Sequence, residues 1–315
     1  MDNATSDPKL NELLLKLRQK YDVMGQDLSS YLDGLLHSDY LTYWDYIHLD
    51  TLLSLQTPKT HFPDEKVFIV YHQITELYFQ LILWEIEQVT AAVPAEEFFA
   101  ARLDRIIRYF KQLESSFSIM VDGLEKDQFL KFRMALLPSS GFQSAQYRMI
   151  EICSTDMINL VDAGERDKVD KDDIALQLEK LYWRQGATEL ASGKKTLTLR
   201  QFEEKYMKVF LETGLKFRQR NLRWMHLNHF SGSHEIESRL KEYDQLANVM
   251  WPLAHLRSAG RYLQKDPEDI KATGGTNWQK YLPPRFQRVI FFPELWTDQE
   301  KSEWGKRALM GAVRL

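Results

Sequence analysis

The sequence predicts an all-α protein. Apolar residues recur at spacings of three and four along most of the chain, the period of a one-sided helix. Strand-like alternation is nearly absent. No shift in composition separates one kind of domain from another, so one helical domain is the simplest architecture.

Each element follows from its local signals. Leu10, Leu13, Leu14 and Leu17 form one face of an N-terminal helix, with Asp7 as cap and Pro8 in the first turn. Residues 43–55 read as a short helix ending before Pro58. Residues 64–93 read as a long one starting at Pro63, with Val67, Tyr71, Ile74, Tyr78, Leu81 and Ile82 among its apolar positions. A third, 95–120, carries Phe98, Leu103, Ile106, Ile107, Phe110 and Leu113. Further helices fit 126–136, 142–152, 172–184 and 200–228. The last long pattern spans 234–263 and contains Pro252, which is expected to kink or restart it. Residues 162–171, 186–195 and 266–277 read as loops.

Composition narrows the function. The 315 residues are 44% hydrophobic and 27% charged, ordinary for a soluble globular protein. A net charge of -4 argues against nucleic acid as the main partner. Cys153 is the single cysteine, so no intrachain disulfide is possible, and its apolar neighbours suggest a buried thiol. The polar N-terminus lacks the apolar core of a signal peptide, and no run approaches the ~20 residues needed to span a bilayer. The expectation is a cytoplasmic protein without a membrane partner. Eight tryptophans and fourteen tyrosines supply packing, or an aromatic ligand pocket.

Several residues could carry chemistry. Arg133 stands among apolar residues just before the break Pro138-Ser-Ser-Gly141. A guanidinium so placed needs an anion, either a protein carboxylate such as Glu151 or one carried by a ligand. Of eight histidines, His72 lies on the long apolar helix and His255 follows Trp251-Pro-Leu-Ala. Each fits a core histidine, or a haem axial ligand between helices. His226 and His229, three apart with His234 close behind, could share a helix face as a non-haem metal site. Thr273-Gly-Gly-Thr276 offers backbone N–H groups in a compact turn, but lacks the lysine and spacing of a phosphate loop.

Taken in order, these residues resemble the tryptophan 2,3-dioxygenase family. The similarity lies in residues 41–58, in Asp64-Glu65 with Phe68-Ile-Val-Tyr-His-Gln-Ile-Thr-Glu-Leu77, and in Phe132-Arg133 with Pro138-Ser-Ser-Gly-Phe-Gln-Ser144 and Gln146-Tyr-Arg148. It continues through Trp251, His255, Arg257 and Arg261 to Thr273-Gly-Gly275 and Phe291-Phe-Pro-Glu-Leu295. Residues 1–40 and about 155–245 carry none of it. Residues 1–40 are therefore read as an N-terminal helical extension and 41–315 as the haem-binding domain.

The resemblance implies a b-type haem with His255 as axial ligand to the iron and His72 on the opposite, distal side near the substrate's indole N–H. It implies that Arg133 grips a substrate carboxylate, as a planar guanidinium favours. Thr273 would contact the amino-acid end, Phe68 and Phe129 would line the indole pocket, and Ser140 would sit near the haem edge. Tyr43, Tyr46 and Ile47 would complete the pocket of a neighbouring subunit in a homotetramer, a dimer of dimers. The implied reaction opens the indole C2–C3 bond of L-tryptophan with O2 to give N-formyl-L-kynurenine, a step of tryptophan catabolism by the kynurenine pathway.

Departures from the family pattern keep two alternatives in play. The stretch from His255 to Thr273 is about four residues longer than usual, and the usual Gly-Thr-Gly-Gly-Ser-Ser-Gly is here Ala272-Thr-Gly-Gly-Thr-Asn-Trp278. Pro63 replaces a common histidine, and Pro252 is unexpected on the proximal helix. The alternatives are a haem enzyme that monooxygenates or rearranges a substituted tryptophan, and a non-catalytic haem-binding or sensing protein.

Overall fold

The computed structural model describes residues 7–38, 42–133, 143–185, 195–263, 284 and 288–306. Those residues form helices and connecting turns. Among them the one β-bridge joins Val161 to Leu181. The chain divides into two compact units, Met1–Gln56 and Thr57–Leu315.

The first unit holds four helices: α1 (Pro8–Val23), α2 (Leu28–Leu36), α3 (Tyr43–Tyr46) and α4 (Leu49–Ser54). Asp7 caps α1 as expected, accepting from the Lys9 amide at 2.9 Å, and Pro8 fills the first turn. The helix expected over 43–55 is broken in two. His48 adopts φ 51°, a left-handed conformation that a helix cannot pass through. None of the four helices contains a buried residue. Tyr43 and Tyr46 are 71% and 73% exposed, and Leu13, Leu35 and Leu53 are exposed too.

The second unit is built around α5 (Pro63–Thr90), α6 (Glu96–Ser116), α9 (Ala145–Ser154), α13 (Leu197–Phe217) and α15 (His234–Gln245). Further helices in it are α7 (Ser118–Val121), α8 (Lys126–Phe132), α10 (Met157–Leu160), α11 (Ile174–Glu179), α12 (Tyr182–Gln185), α14 (Leu222–Met225), α16 (Trp251–Leu263) and α17 (Asp298–Ser302). The helical stripes read from the sequence become the core: Ile82 and Ile86 of α5, Leu103, Ile106 and Phe110 of α6, Ile150 of α9, and Leu240 and Tyr243 of α15 are all buried. Cys153 is buried among them, which pushes its thiol pKa up and makes it inert.

Acidic residues tie loops to these helices. Glu65, fully buried at the start of α5, accepts from the amides of Lys59 and Thr60, both at 2.7 Å, and from the Thr60 hydroxyl at 2.5 Å. Burial opposes its ionisation, but those bonds prevail and hold its pKa below the usual value. Asp64 accepts from the Glu125 amide at 2.6 Å, fixing the start of α8 beside α5. Asp244 is wholly buried and accepts four N–H groups: the amides of Phe291 and Phe292, the Trp296 indole and the Asn248 amide. The Phe-Phe-Pro-Glu-Leu motif is thereby pinned to α15.

Pro252 is the second residue of α16, immediately after a change of helical winding. A π-helical turn, Leu246–Met250, joins α15 directly to α16. A proline has no N–H to give, and its ring crowds the carbonyl four residues back. Widening the turn just upstream accommodates both defects without ending the helix.

Candidate functional site

The site is assembled from α5, α8 and α16, together with Phe117 at the end of α6. On α5 the Nδ1–H of His72 donates to the Phe68 carbonyl at 2.7 Å, which fixes the ring's tautomer and orientation. The Phe68 ring lies 4.0 Å from that imidazole. Phe68 also meets the rings of Phe129 at 6.5 Å and Phe132 at 5.7 Å, both from α8. Arg133 ends α8, half-buried, with its guanidinium 5.8 Å from the centre of the Phe129 ring. Phe129 packs on Tyr262 of α16 at 4.6 Å, and the Tyr262 hydroxyl donates to the Val121 and Leu124 carbonyls.

On α16 the Nδ1–H of His255 donates to the Trp251 carbonyl at 3.0 Å. Its ring is flanked by Phe117 and Trp251, both at 4.5 Å. Burial pushes the His255 pKa down to about 4, against the pull of that hydrogen bond, and the charges of His72 and Arg148 add to the depression. Both imidazoles are therefore neutral at pH 7. A run of ring contacts joins the two imidazoles: His72 meets Tyr71 at 6.0 Å, Tyr71 meets Phe117 at 5.8 Å, and Phe117 meets His255 at 4.5 Å. Burial likewise lowers the His72 pKa, with the Phe68 carbonyl and Glu76 opposing. His72 as a residue is nevertheless exposed.

The donor set suits a haem iron. A neutral imidazole with Nδ1–H held by a carbonyl presents its Nε2 lone pair to a metal. The His255 Nε2 has no hydrogen-bond partner among the described residues. The rival metal site does not assemble: His226 is buried against Glu237, whereas His229 is exposed. Both lie in a π-helical turn, Leu227 and Asn228 between them, whose wider winding takes residues three apart off a common face. No cluster of three metal-ligating side chains occurs among the described residues.

The structure thus brings together His72, Phe68, Phe129, Arg133 and His255. Tyr43, Tyr46 and Ile47 belong to the first unit. Ser140 and Thr273, with the glycine turn, lie outside the described residues. Glu151, considered as a partner for Arg133, is engaged by Arg148 at 3.0 Å and by the Tyr182 hydroxyl at 2.5 Å. Phe117 escaped the sequence reading. It follows Phe110 and Leu113 at helical spacing, so nothing in the pattern separates it from ordinary core.

Two neutral imidazoles joined by packed aromatic rings, with a cluster of phenylalanines and a guanidinium alongside, make a candidate site in an all-helical protein. A family model described as Tryptophan 2,3-dioxygenase matches residues 34–163. A tryptophan 2,3-dioxygenase of a Ruegeria species is 42% identical over 118 residues, 36% of this chain and 41% of that protein. Longer matches run to tryptophan 2,3-dioxygenases of a Polaromonas species and of Bradyrhizobium diazoefficiens. These are 26% and 27% identical and cover 81% of this chain, with 86% and 91% of the relatives. The chain is thus similar to tryptophan 2,3-dioxygenases, at higher identity over about a third of its length and at lower identity along most of it. No described helix is long and apolar enough to cross a membrane.

Proposed function

We propose that this protein is a haem-dependent dioxygenase that opens the C2–C3 bond of the L-tryptophan indole with O2, yielding N-formyl-L-kynurenine for tryptophan catabolism. The observation that carries this reading is the pair His72 and His255: two neutral imidazoles in one site, each oriented by a backbone carbonyl, with Phe68 and Phe129 alongside.

His255 would hold a b-type haem, which when bound would supply the chemistry of dioxygen. The remaining work falls to the chain. Phe68 and Phe129 box the indole and exclude water from it. Arg133 binds the carboxylate of the zwitterionic substrate, with Thr273 at the same end. His72, its Nδ1–H committed to Phe68, offers Nε2 as acceptor for the indole N–H. That contact orients the ring and can hold a proton leaving the indole nitrogen. Positioning of this kind is worth several powers of ten in rate. Ser140 would serve as a contact for the haem.

The active oligomer is a homotetramer in which Tyr43, Tyr46 and Ile47 complete a neighbour's pocket. In support, α1 to α4 bury none of their residues and both tyrosines stand exposed. A lone buried thiol suits a cytoplasmic setting.

The test is to load the protein with hemin, reduce it anaerobically, and add tryptophan and O2. A product heavier than tryptophan by two oxygen atoms is expected. Haem-loaded protein that yields none defeats the proposal, and gain of a single oxygen atom replaces it with monooxygenation.

A further inference from the structure

Pro252 and the π turn before it leave one backbone carbonyl without its helical partner. In the turn Leu246–Met250 the Trp251 N–H reaches five residues back, to the Leu246 carbonyl. The Ala247 carbonyl therefore loses the Trp251 N–H that an α-helix would give it. The next residue that could serve it in π winding is 252, a proline with no N–H. Ala247 is fully buried, so its carbonyl has no recourse to water, and an unsatisfied buried acceptor is costly.

Tyr147 of α9 fills the gap. Its hydroxyl donates to the Ala247 carbonyl at 2.8 Å across 100 residues of sequence. The tyrosine is itself buried, and burial raises its pKa far above the usual value, so the hydroxyl keeps its proton. From there a continuous path leads to the site. The Tyr147 ring packs on Phe79 at 5.4 Å, Phe79 meets Trp251 edge-on at 5.9 Å, and Trp251 meets His255 at 4.5 Å. The Trp251 peptide joins the two ends directly: its N–H makes the π bond, and its carbonyl receives the His255 Nδ1–H.

We infer that Tyr147 is a positioning residue for His255. Its hydroxyl, taking the place of the amide that Pro252 lacks, holds the π turn that sets the phase of α16 and so the aim of the His255 Nε2. An extra residue in a helical turn rotates everything downstream, and loss of the turn would swing the imidazole round the helix. The inference leans on the proposed function only in taking His255 as the iron ligand.

The experiment uses the full chain, with and without hemin. In haem-free protein, Tyr147→Phe is expected to speed amide hydrogen exchange at residues 246–255, relative to α6, by roughly tenfold, the ratio corresponding to one buried hydrogen bond. With hemin, the ferrous iron–histidine stretching band is expected to shift. Tyr243→Phe is the control, since it removes a buried hydroxyl paired with Ser154 at 2.7 Å. It should change neither readout. The inference is overturned if Tyr147→Phe leaves both readouts as they were, or if Tyr243→Phe alters them equally. Should Tyr147→Phe not fold, the double variant Tyr147→Phe, Pro252→Ala carries the test: the N–H restored at 252 can serve the Ala247 carbonyl in place of the hydroxyl, so the double variant should fold and keep the wild-type band, and a double variant that fails to fold or shifts the band overturns the inference. Wild-type protein that takes up no hemin would end the proposed function, while the exchange measurement would still judge the role of Tyr147.

Discussion

Arg148 and Glu151 form an ion pair of 3.0 Å one helical turn apart on α9, with both side chains buried. The Tyr182 hydroxyl closes the group, donating to Glu151 at 2.5 Å while accepting from Arg148 at 2.8 Å. The arginine is further enclosed by the rings of Tyr147, Tyr182 and Trp183. Burial acts against the charge of both partners, and each offsets it for the other; the Arg148 pKa ends above its ordinary value. Removing one partner strands the other. Glu151→Ala should therefore destabilise the fold by about 3–5 kcal/mol, read as a lowered urea midpoint. The double change Arg148→Met, Glu151→Leu should cost less than Glu151→Ala alone.

Asp244 gathers four N–H donors, so an asparagine there must turn its own NH2 towards groups that also donate. Asp244→Asn is expected to lose about 2–4 kcal/mol, roughly two buried hydrogen bonds with their desolvation. Trp296 should report the loss. Its indole N–H is bonded to Asp244 at 3.0 Å, and its fluorescence should move towards that of a hydrated indole.

The neutral His255 gives stability a pH dependence of definite sign. Its folded pKa of about 4 lies below the unfolded value of 6.5. Between those limits the unfolded chain binds the proton and the folded one does not, so stability falls as pH drops from 6.5 to 4. Asp244 acts oppositely. Burial raises its pKa from 3.8 to about 6, so its contribution falls as pH rises through that window. The two slopes overlap and largely cancel. Comparing wild-type with His255→Gln in the absence of hemin isolates the histidine. The wild-type should lose ground to the variant by about 1.4 kcal/mol per pH unit on acidification below 6.5.

Arg133 presents its guanidinium beside the Phe129 ring. If it binds the substrate carboxylate, Arg133→Ala should lower kcat/KM for tryptophan by about 30- to 150-fold, the equivalent of one charge-assisted pair of about 2–3 kcal/mol. Indole derivatives without a carboxylate should lose nothing. Equal losses for both would show that the side chain acts through folding.

Much of the helical scaffold was legible in the sequence because its causes are local. Asp7 and Pro8 started α1, Pro63 started α5, and the apolar stripe of α6 became core, since capping and period depend only on near neighbours. The breaks were less legible. The left-handed backbone of His48 and the end of α13 at Phe217 interrupt patterns that read as continuous. Periodicity records which side is apolar and is blind to a turn inserted between two stretches of like phase.

The order of motifs along the chain was enough to indicate the helical class and the resemblance to tryptophan 2,3-dioxygenases, because both rest on residue type and spacing. Other outcomes depended on side chains far apart in sequence. That Glu151 serves Arg148, that Phe117 flanks His255, and that Tyr147 answers a carbonyl vacated beside Pro252 were all decided by tertiary packing. Burial is the physical reason: only once water is excluded must every charge and every carbonyl find a partner, and which partner lies within reach is a property of the folded chain.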